Sequence, residues 1–466
     1  MVDEAFERSI APSDRSYWLR QAGHDEPAPA LEGRTRADVA IVGGGYTGLW
    51  TAWFLKEADP SLDVVVLEQE VVGYGGSGRN GGFAMTVLDY SLHHLVKNYG
   101  VERARAAHEA VGRSVVEIGE FAAKHRLDIE YEPNGFLGVA SSPGQAARVR
   151  RDLEAAEQLG LDDWTYLDRR EVRAEVDSPV FECGALERAC ALLQPAKLVR
   201  GMKEAVIGAG VRVHERTPVT AIKPGRRTEL RTPGGEVMAD EVVLATNPWS
   251  FRFGPIGLRE LPLYTYILLT EPLTEVQLDR IGWRSRQGLE NKQNYLNYFR
   301  ITKEDRLMWG GEARYFYGPS IGLAHDRDAE AFATIEVEMR RTFPQLDDVR
   351  VEYRWGGPIS VTVTFVPSFG SVPGTGIHYG YGYSGHGVAP SHTGGQILRD
   401  LVLGRDTEHT DLLMVQPGKR YPPEPAAFLG ERISRRALKK QDRDMEAGKD
   451  VGAFEPWILR VLNKLS

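Results

Sequence analysis

Two rhythms of apolar residues run along this chain. Near the start, Asp38 to Gly43 reads DVAIVG, a short β-branched run; GGGYTG follows, and then Leu49, Ala52, Trp53 and Leu55 fall at helical spacing. That order predicts strand, tight turn and helix. A second buried strand is expected over Asp63 to Leu67, DVVVL, and another in EVVLATNPWS, ending at Ala245 and Thr246. Helical periodicity covers Val101 to His125, Pro143 to Gly160 and Ala389 to Leu403. LVRGMKEAVIGAGVRVHERTPVTAIK reads as a helix feeding a strand pair. From about 251 to 350 the rhythm changes: LPLYTYILLT, NYLNYFRI and RLMWGGEARYF alternate and are rich in Tyr, Leu and Ile, the mark of antiparallel strands in a separate sheet. The tail carries YPPEPAAF and ERISRRALKKQ, read as a solvated packing helix with a basic face.

The glycines give the first segment its chemistry. Gly43, Gly45 and Gly48 form GxGxxG around Tyr46 and Thr47. The first glycine suits the turn, the second lets the backbone approach a pyrophosphate, and the third allows close packing of helix on strand. The helix N-terminus then offers free N–H groups and its positive dipole end to the phosphates. Glu68 ends the second strand 20 residues beyond Gly48, placed to accept a hydrogen bond from a ribose hydroxyl, with Gln69 beside it. Strand, glycines, helix, strand and acid together predict dinucleotide binding. A second loop, GYGGSGRNGG, sets Gly76, Ser77, Arg79, Asn80, Gly81 and Gly82 close together. An NAD site needs no such loop, whereas its N–H donors, hydroxyl and guanidinium suit the far phosphate and ribityl chain of FAD.

Composition narrows the field. The chain has 466 residues with 57 Lys and Arg against 65 Asp and Glu, a formal charge of −8, which argues against a nucleic-acid partner. At 42% hydrophobic content it is long enough for several large cores. Its two cysteines, Cys183 and Cys190, have neither zinc-site spacing nor a disulfide framework, so no metal is expected and a reducing cytosol fits. No run approaches the length of a membrane span, and no N-terminal leader pattern is visible.

With these segments on the page, the sequence resembles the glycine/D-amino-acid oxidase (DAO) superfamily of FAD-dependent amine oxidases, and within it the gamma-glutamylputrescine oxidase branch. The likeness rests on SYWL, DVAIVGGGYTGLWTA, GYGGSGRNGG, TPV, VVLATNPW, NYLNYFRITKEDRLMWGG, RWGG and GYSGHGVAPSHTGGQIL, between residue 16 and about residue 404. It implies an α/β protein in which a Rossmann-like FAD-binding domain is interleaved with an antiparallel-sheet substrate domain. The expected division is an N-terminal extension over 1–37, FAD-binding parts over 38–100, 191–250 and 351–405, mixed helices and strands over 101–190, the substrate sheet over 251–350 and a helical tail over 406–466. The resemblance further implies that Val219 touches the adenine, that Ala245 and Thr246 lie beside the cofactor, and that Gly385, His386, Gly387 and Val388 present a helix N-terminus to the flavin's pyrimidine edge. Such N–H donors would stabilise the negative charge of a reduced flavin. Gly380, Gly382 and Gly385 form a second GxGxxG, but no strand with a terminal acid follows the helix, so an NAD(P)H site is rejected there.

The implied chemistry is oxidation of the C–N bond of a primary or secondary amine, an N-alkyl amino acid or an omega-amino compound. The resulting imine is hydrolysed by water, and oxygen is the expected acceptor. The alternative is a dehydrogenase passing electrons to a protein or dye. Tyr264, Tyr266, Tyr298, Trp309 and Trp355 are candidates for an aromatic cage around the amine. Two departures from the family pattern stand out. Where amino-acid oxidases carry a carboxylate-clamping arginine, this chain has Ile359 and Gly385, leaving Arg300, next to Tyr298 on an expected strand, as the candidate replacement; His386 is a further catalytic candidate. On the strand where sarcosine-oxidase relatives carry an oxygen-activating lysine, this chain has Met308 or Trp309; no cysteine lies near the C-terminus, so the flavin is expected to be noncovalent.

Overall fold

A computed structural model describes residues 15–88, 91–254, 256–318 and 320–449. The outer ends of the expected N-terminal extension and C-terminal tail, residues 1–14 and 450–466, lie outside the described residues.

The first layer begins with β1 (Gly33–Val42), which is buried without a break from Val39 to Val42, as a central strand covered on both faces must be. Helix α1 (Tyr46–Ala58) leads from it to β2 (Val64–Leu67), all four of whose residues are buried. The chain then leaves for α2 (Val101–His125), β3 (Phe136–Ala140), α3 (Pro143–Leu159), β4 (Trp164–Leu167) and β5 (Cys183–Glu187). Ser142 caps α3 by accepting from Gln145 N, and Pro143 occupies its first turn, which explains why the sequence marks this start so plainly. The return is made by β6 (Arg212–His214), β7 (Ala221–Lys223), β8 (Thr228–Arg231) and β9 (Gly235–Leu244).

A second layer follows with β10 (Leu261–Pro272), β11 (Gly288–Asn291), β12 (Tyr298–Ile301), β13 (Arg306–Tyr315), helix α4 (Ala329–Thr342) and β14 (Val351–Val361). Strands β15 (Ser368–Val372) and β16 (Ile377–Tyr381) and helix α5 (Val388–Val402) belong to the first layer, and α6 (Ala426–Glu446) closes the described chain.

The first sheet has the order β15-β16-β9-β1-β2-β6, with β8 and β7 added as a meander on β9. Its core pairs, β16 with β9, β9 with β1, β1 with β2 and β2 with β6, are parallel. Helix α5 lies against α1 because Gly395 has no side chain: a Cβ there would stand 2.6 Å from Trp50 Cβ. The second sheet runs β14-β10-β13-β12-β11-β3-β5-β4. It is antiparallel apart from one parallel pair, β11 with β3. That pair joins the strands of the 101–190 region to those of the 261–361 region. The expected division at 351 also moves: β14 pairs with β10 from Leu261↔Val361 onward, so the return to the first layer comes after Val361.

Where the layers meet, Glu260 is fully buried at the start of β10; its carboxylate accepts from Phe251 N at 3.0 Å and from Ser360 Oγ. Burial pushes this carboxyl up to about 8, and Glu68 and Glu187 up to about 7. The folded protein therefore keeps protons that the unfolded chain has released. Stability from these groups is present below the ordinary carboxyl range and is lost as pH rises toward 7–8, at up to about 1.4 kcal/mol per pH unit for each group. The melting temperature should be lower at pH 8.5 than at pH 6, and Glu260→Gln should make the decline shallower. An unchanged slope would show that Glu260 does not titrate there.

Candidate active site

A trench of about 790 Å³ runs past the C-terminal ends of β1, β2 and β9, where ligands bind in open parallel sheets. Gly43 turns the chain there at φ +112°, with a Cβ position only 2.5 Å from the carbonyl oxygen of Ala245. Gly48 faces back into the same turn: its Cβ would stand 2.0 Å from Gly43 O. Only glycine lets α1 seat so closely on the strand end, which brings the N–H groups of its first turn to the trench. Ser77 Oγ accepts from Tyr46 N at 2.9 Å, tying the second glycine loop to that helix start.

Gly45, Tyr46, Thr47, Gln69, Val219, Ala245, Thr246 and Gly387 line the trench. Glu68 lines it too; its two carboxylate oxygens accept from Gly44 N at 2.7 Å and Glu70 N at 2.9 Å. A helix N-terminus, a fixed carboxylate and a glycine-walled groove fit the phosphates and ribose of FAD.

A larger chamber of about 1510 Å³ adjoins it. Its floor is the second sheet, with Leu263, Thr265 and Ile267 from β10, Trp355 and Ile359 from β14, and Tyr298 from β12. Trp355 is fixed by donating from Nε1 to the carbonyl of Arg79 at 2.9 Å. Tyr298 lies across Gly310, where a Cβ would come within 2.1 Å of its ring, so the first glycine of the RLMWGG pair makes room for an aromatic floor. The roof is α6, with Ala427, Gly430, Leu438 and Met445 over the chamber. It is held by Lys439 Nζ on the Glu312 carboxylate at 2.6 Å, and by Asp442, which accepts from Asn294 N at 2.8 Å and Tyr295 N at 3.2 Å.

Trench and chamber share Gly76, Asn80, Pro358, Ile359, Gly385 and Val388 as lining, which makes one continuous site. At this waist Ile359 Cδ1 is 3.7 Å from the Cβ position of Gly385. The two positions where the resemblance led one to look for an arginine are thus neighbours, and both are apolar. His386 and Gly81 line the chamber. His386 Nε2 lies 3.7 Å from Glu290 Oε2, Glu290 Oε1 lies 3.8 Å from Lys292 Nζ, and Lys292 Nζ lies 3.3 Å from Asp152 Oδ2.

Several expected residues are elsewhere. Tyr264, Tyr266 and Trp309 are fully buried on the opposite face of the second sheet, packed toward α4. Tyr264 and Tyr266 donate to the carbonyls of Gly322 and His325, and Trp309 Nε1 donates to Asn297 Oδ1 while its ring stacks 4.1 Å from Phe299. Side chains alternate across a strand, so on β10 the odd-numbered residues face the chamber and these tyrosines cannot.

Arg300 is no substrate clamp. It is 1% exposed, donates to the carbonyls of Leu193, Gly82 and Gly81, and lies over the Trp18 ring. Burial pushes its guanidinium down to about 10. The Arg79 guanidinium does not face a phosphate: it donates to Tyr74 O, Gly356 O and Asp326 Oδ2, the last at 3.0 Å. Gly82 lines neither cavity and serves the turn, its N–H donating to Asn80 Oδ1 at 2.7 Å. Met308 is fully buried on the Trp18 side of the sheet.

Sequence reasoning missed Glu290, Asp326 and the roofing role of α6. No spacing signal marks either acid; each acquires its role from partners far along the chain. Among the described residues no cluster of His, Cys, Asp and Glu could hold a metal, and no helix is long and apolar enough to cross a membrane.

Three comparisons bear on this site. The family model described as FAD dependent oxidoreductase (DAO) matches residues 38–401. Gamma-glutamylputrescine oxidoreductase of Escherichia coli (strain K12) is 33% identical over 409 residues, covering 87% of this chain and 93% of that protein. In fold, the chain resembles glycine oxidase from Geobacillus kaustophilus, with a TM-score of 0.67 at 19% identity over 80% of this chain and 96% of that one. It also resembles L-proline dehydrogenase from P. horikoshii, with a TM-score of 0.68 at 17% identity over 81% and 96%.

Proposed function

Because the chain belongs to the FAD dependent oxidoreductase (DAO) family, with FAD as cofactor and amine or amino compounds as the substrates of that chemistry, we propose that it oxidises a primary or secondary amine whose other polar groups lie several bonds from the reacting nitrogen. The observation that carries this reading is the apolar waist. Ile359 and Gly385 put no arginine at the meeting of trench and chamber to grip an α-carboxylate, while Tyr298 and Trp355 offer ring faces to an amine. The Escherichia coli relative is named for gamma-glutamylputrescine, and this reading brings an amine of that kind to this chain.

FAD supplies the acceptor for the hydride equivalent that leaves the carbon beside nitrogen. The residues of this chain do the rest. In the proposed arrangement Gly43, Gly45, Thr47 and Glu68 hold the nucleotide, and the first turn of α5, from Gly387 and Val388, places N–H groups at the waist. Tyr298, Trp355 and Ile359 orient the alkyl part and exclude water until the imine is released for hydrolysis. Oxygen is the proposed acceptor, taken slowly. Met308, fully buried on β13 beside Trp18, brings no positive charge, which favours the second reading, in which a protein or dye takes the electrons.

Anaerobic mixing of the yellow holoenzyme with a panel of amines tests the main reading. Long-chain amines should bleach the flavin absorption, while D-alanine and glycine should leave it nearly unchanged. Bleaching by D-alanine as fast as by the best amine would overturn the argument from the waist. Peroxide formation in air then separates oxygen from other acceptors.

A further inference from the structure

We propose that Glu290 anchors a second, non-reacting positive charge on the substrate, so that the chamber selects diamines and omega-aminoalkyl compounds over monoamines of the same length. The inference rests on the reading of amine oxidation and adds to it the chemistry of the substrate's far end.

Glu290 is 7% exposed and lines the chamber from β11. Its cationic neighbours stand off at 3.7 Å for His386 Nε2 and 3.8 Å for Lys292 Nζ, well beyond the roughly 2.7–2.9 Å of a charge-assisted hydrogen bond. Lys292 leans instead toward Asp152, 3.3 Å away. Around Lys292, Glu290 and Asp152 set two carboxylates against one ammonium in the wall of a largely apolar chamber. Burial by itself would raise the Glu290 carboxyl, but His386 and Lys292 outweigh it and hold the group below its ordinary value, so it is an anion at neutral pH. Both neighbours stand beyond the distance of a charge-assisted hydrogen bond, so an ammonium group that reaches Glu290 from the chamber adds a close contact to an anion the protein already maintains.

The charge it holds cannot be that of the reacting nitrogen. An anion in contact with that nitrogen would keep it protonated, and a protonated amine has no lone pair to stabilise the carbon that gives up hydride. The reacting end must sit against the apolar waist, with methylene groups spanning from Ile359 to a second cationic group at Glu290.

The test uses butane-1,4-diamine and butylamine with the FAD-loaded enzyme and with Glu290→Gln. Calorimetric titration of the dithionite-reduced holoenzyme, which cannot turn over, reads binding alone. The diamine should bind the wild type more tightly than the monoamine. Glu290→Gln should weaken the diamine by about 10- to 100-fold, the usual range for loss of a hydrogen bond to a charged group, and leave the monoamine within about twofold. Glu290→Asp, which keeps the charge, should restore part of the difference, and retained flavin absorption shows that each variant is folded. Equal weakening of both ligands, or no preference in the wild type, would overturn the proposal. Selective binding without flavin bleaching in the oxidised enzyme would refute amine oxidation and leave the cation site standing; bleaching without selectivity would do the reverse.

Discussion

Gly48→Ala should yield a protein that leaves purification without its FAD. The added Cβ would stand 2.0 Å from the carbonyl oxygen of Gly43 and 3.2 Å from its carbon, and these are backbone atoms that cannot rotate away. Relief requires α1 to lift off the end of β1, which withdraws its first-turn N–H groups from the trench. The expected result is loss of FAD affinity by at least about 100-fold, since several N–H contacts to phosphate are lost together. The flavin-to-protein absorbance ratio measures it, and the far-ultraviolet circular dichroism should be retained. Gly112→Ala is the control: on the long helix α2 its Cβ would meet nothing nearer than Thr86 Cγ2 at 3.9 Å, so FAD occupancy should be unchanged. Wild-type occupancy in Gly48→Ala would show that the turn has room that the geometry denies it.

Asp326→Ala should be strongly destabilising although it lies outside the hydrophobic cores. Its carboxylate lies 3.0 Å from Arg79 Nη1 and 3.6 Å from Arg15 Nη1, and all three side chains are at least nine-tenths buried. Removing one partner from such a group leaves uncompensated guanidinium charge in a low-dielectric interior, a cost of about 3–5 kcal/mol. Thermal unfolding at fixed FAD concentration reads it as a large fall in melting temperature. The double change Arg79→Met with Asp326→Ala should lose less than the sum of the single changes, because the two residues share the interaction. Strict additivity would mean that Asp326 acts through some other contact. The pair also joins the glycine loop that borders both cavities to the residues above the second sheet, so loosening it should speed FAD release as well.

The segments that announce themselves in the sequence are those whose signals are local. The β1-turn-α1-β2 unit is legible because Gly43 and Gly48 are needed by their own immediate neighbours. Val101–His125 is legible from its periodicity alone, and Pro143–Leu159 from its periodicity together with the Ser142 cap and Pro143. The floor of the chamber is a different matter. On β10, Leu263 and Ile267 face one way and Tyr264, Tyr266 and Leu268 the other, and both faces are covered, so alternation alone does not say which looks on the chamber. Arg300 misleads for a related reason: the groups that bind it are carbonyls of Gly81, Gly82 and Leu193, more than 100 positions away. Glu290 sits on a four-residue strand and becomes part of a site only when His386, from the other layer, arrives beside it.

The roof of the chamber comes from the last described helix, and this sets an order of events for a chain made from its N-terminus. By Val402 both sheets and all of the trench have been synthesised, yet Lys439 and Asp442, which fasten the roof to Glu312 and to the backbone of Asn294 and Tyr295, have not. A chain of that length has every residue that lines the trench but none of the groups that fasten the roof. A free chain ending just after residue 405 therefore separates the two parts of the site: it keeps the residues that line the trench and lacks the helix that covers the chamber.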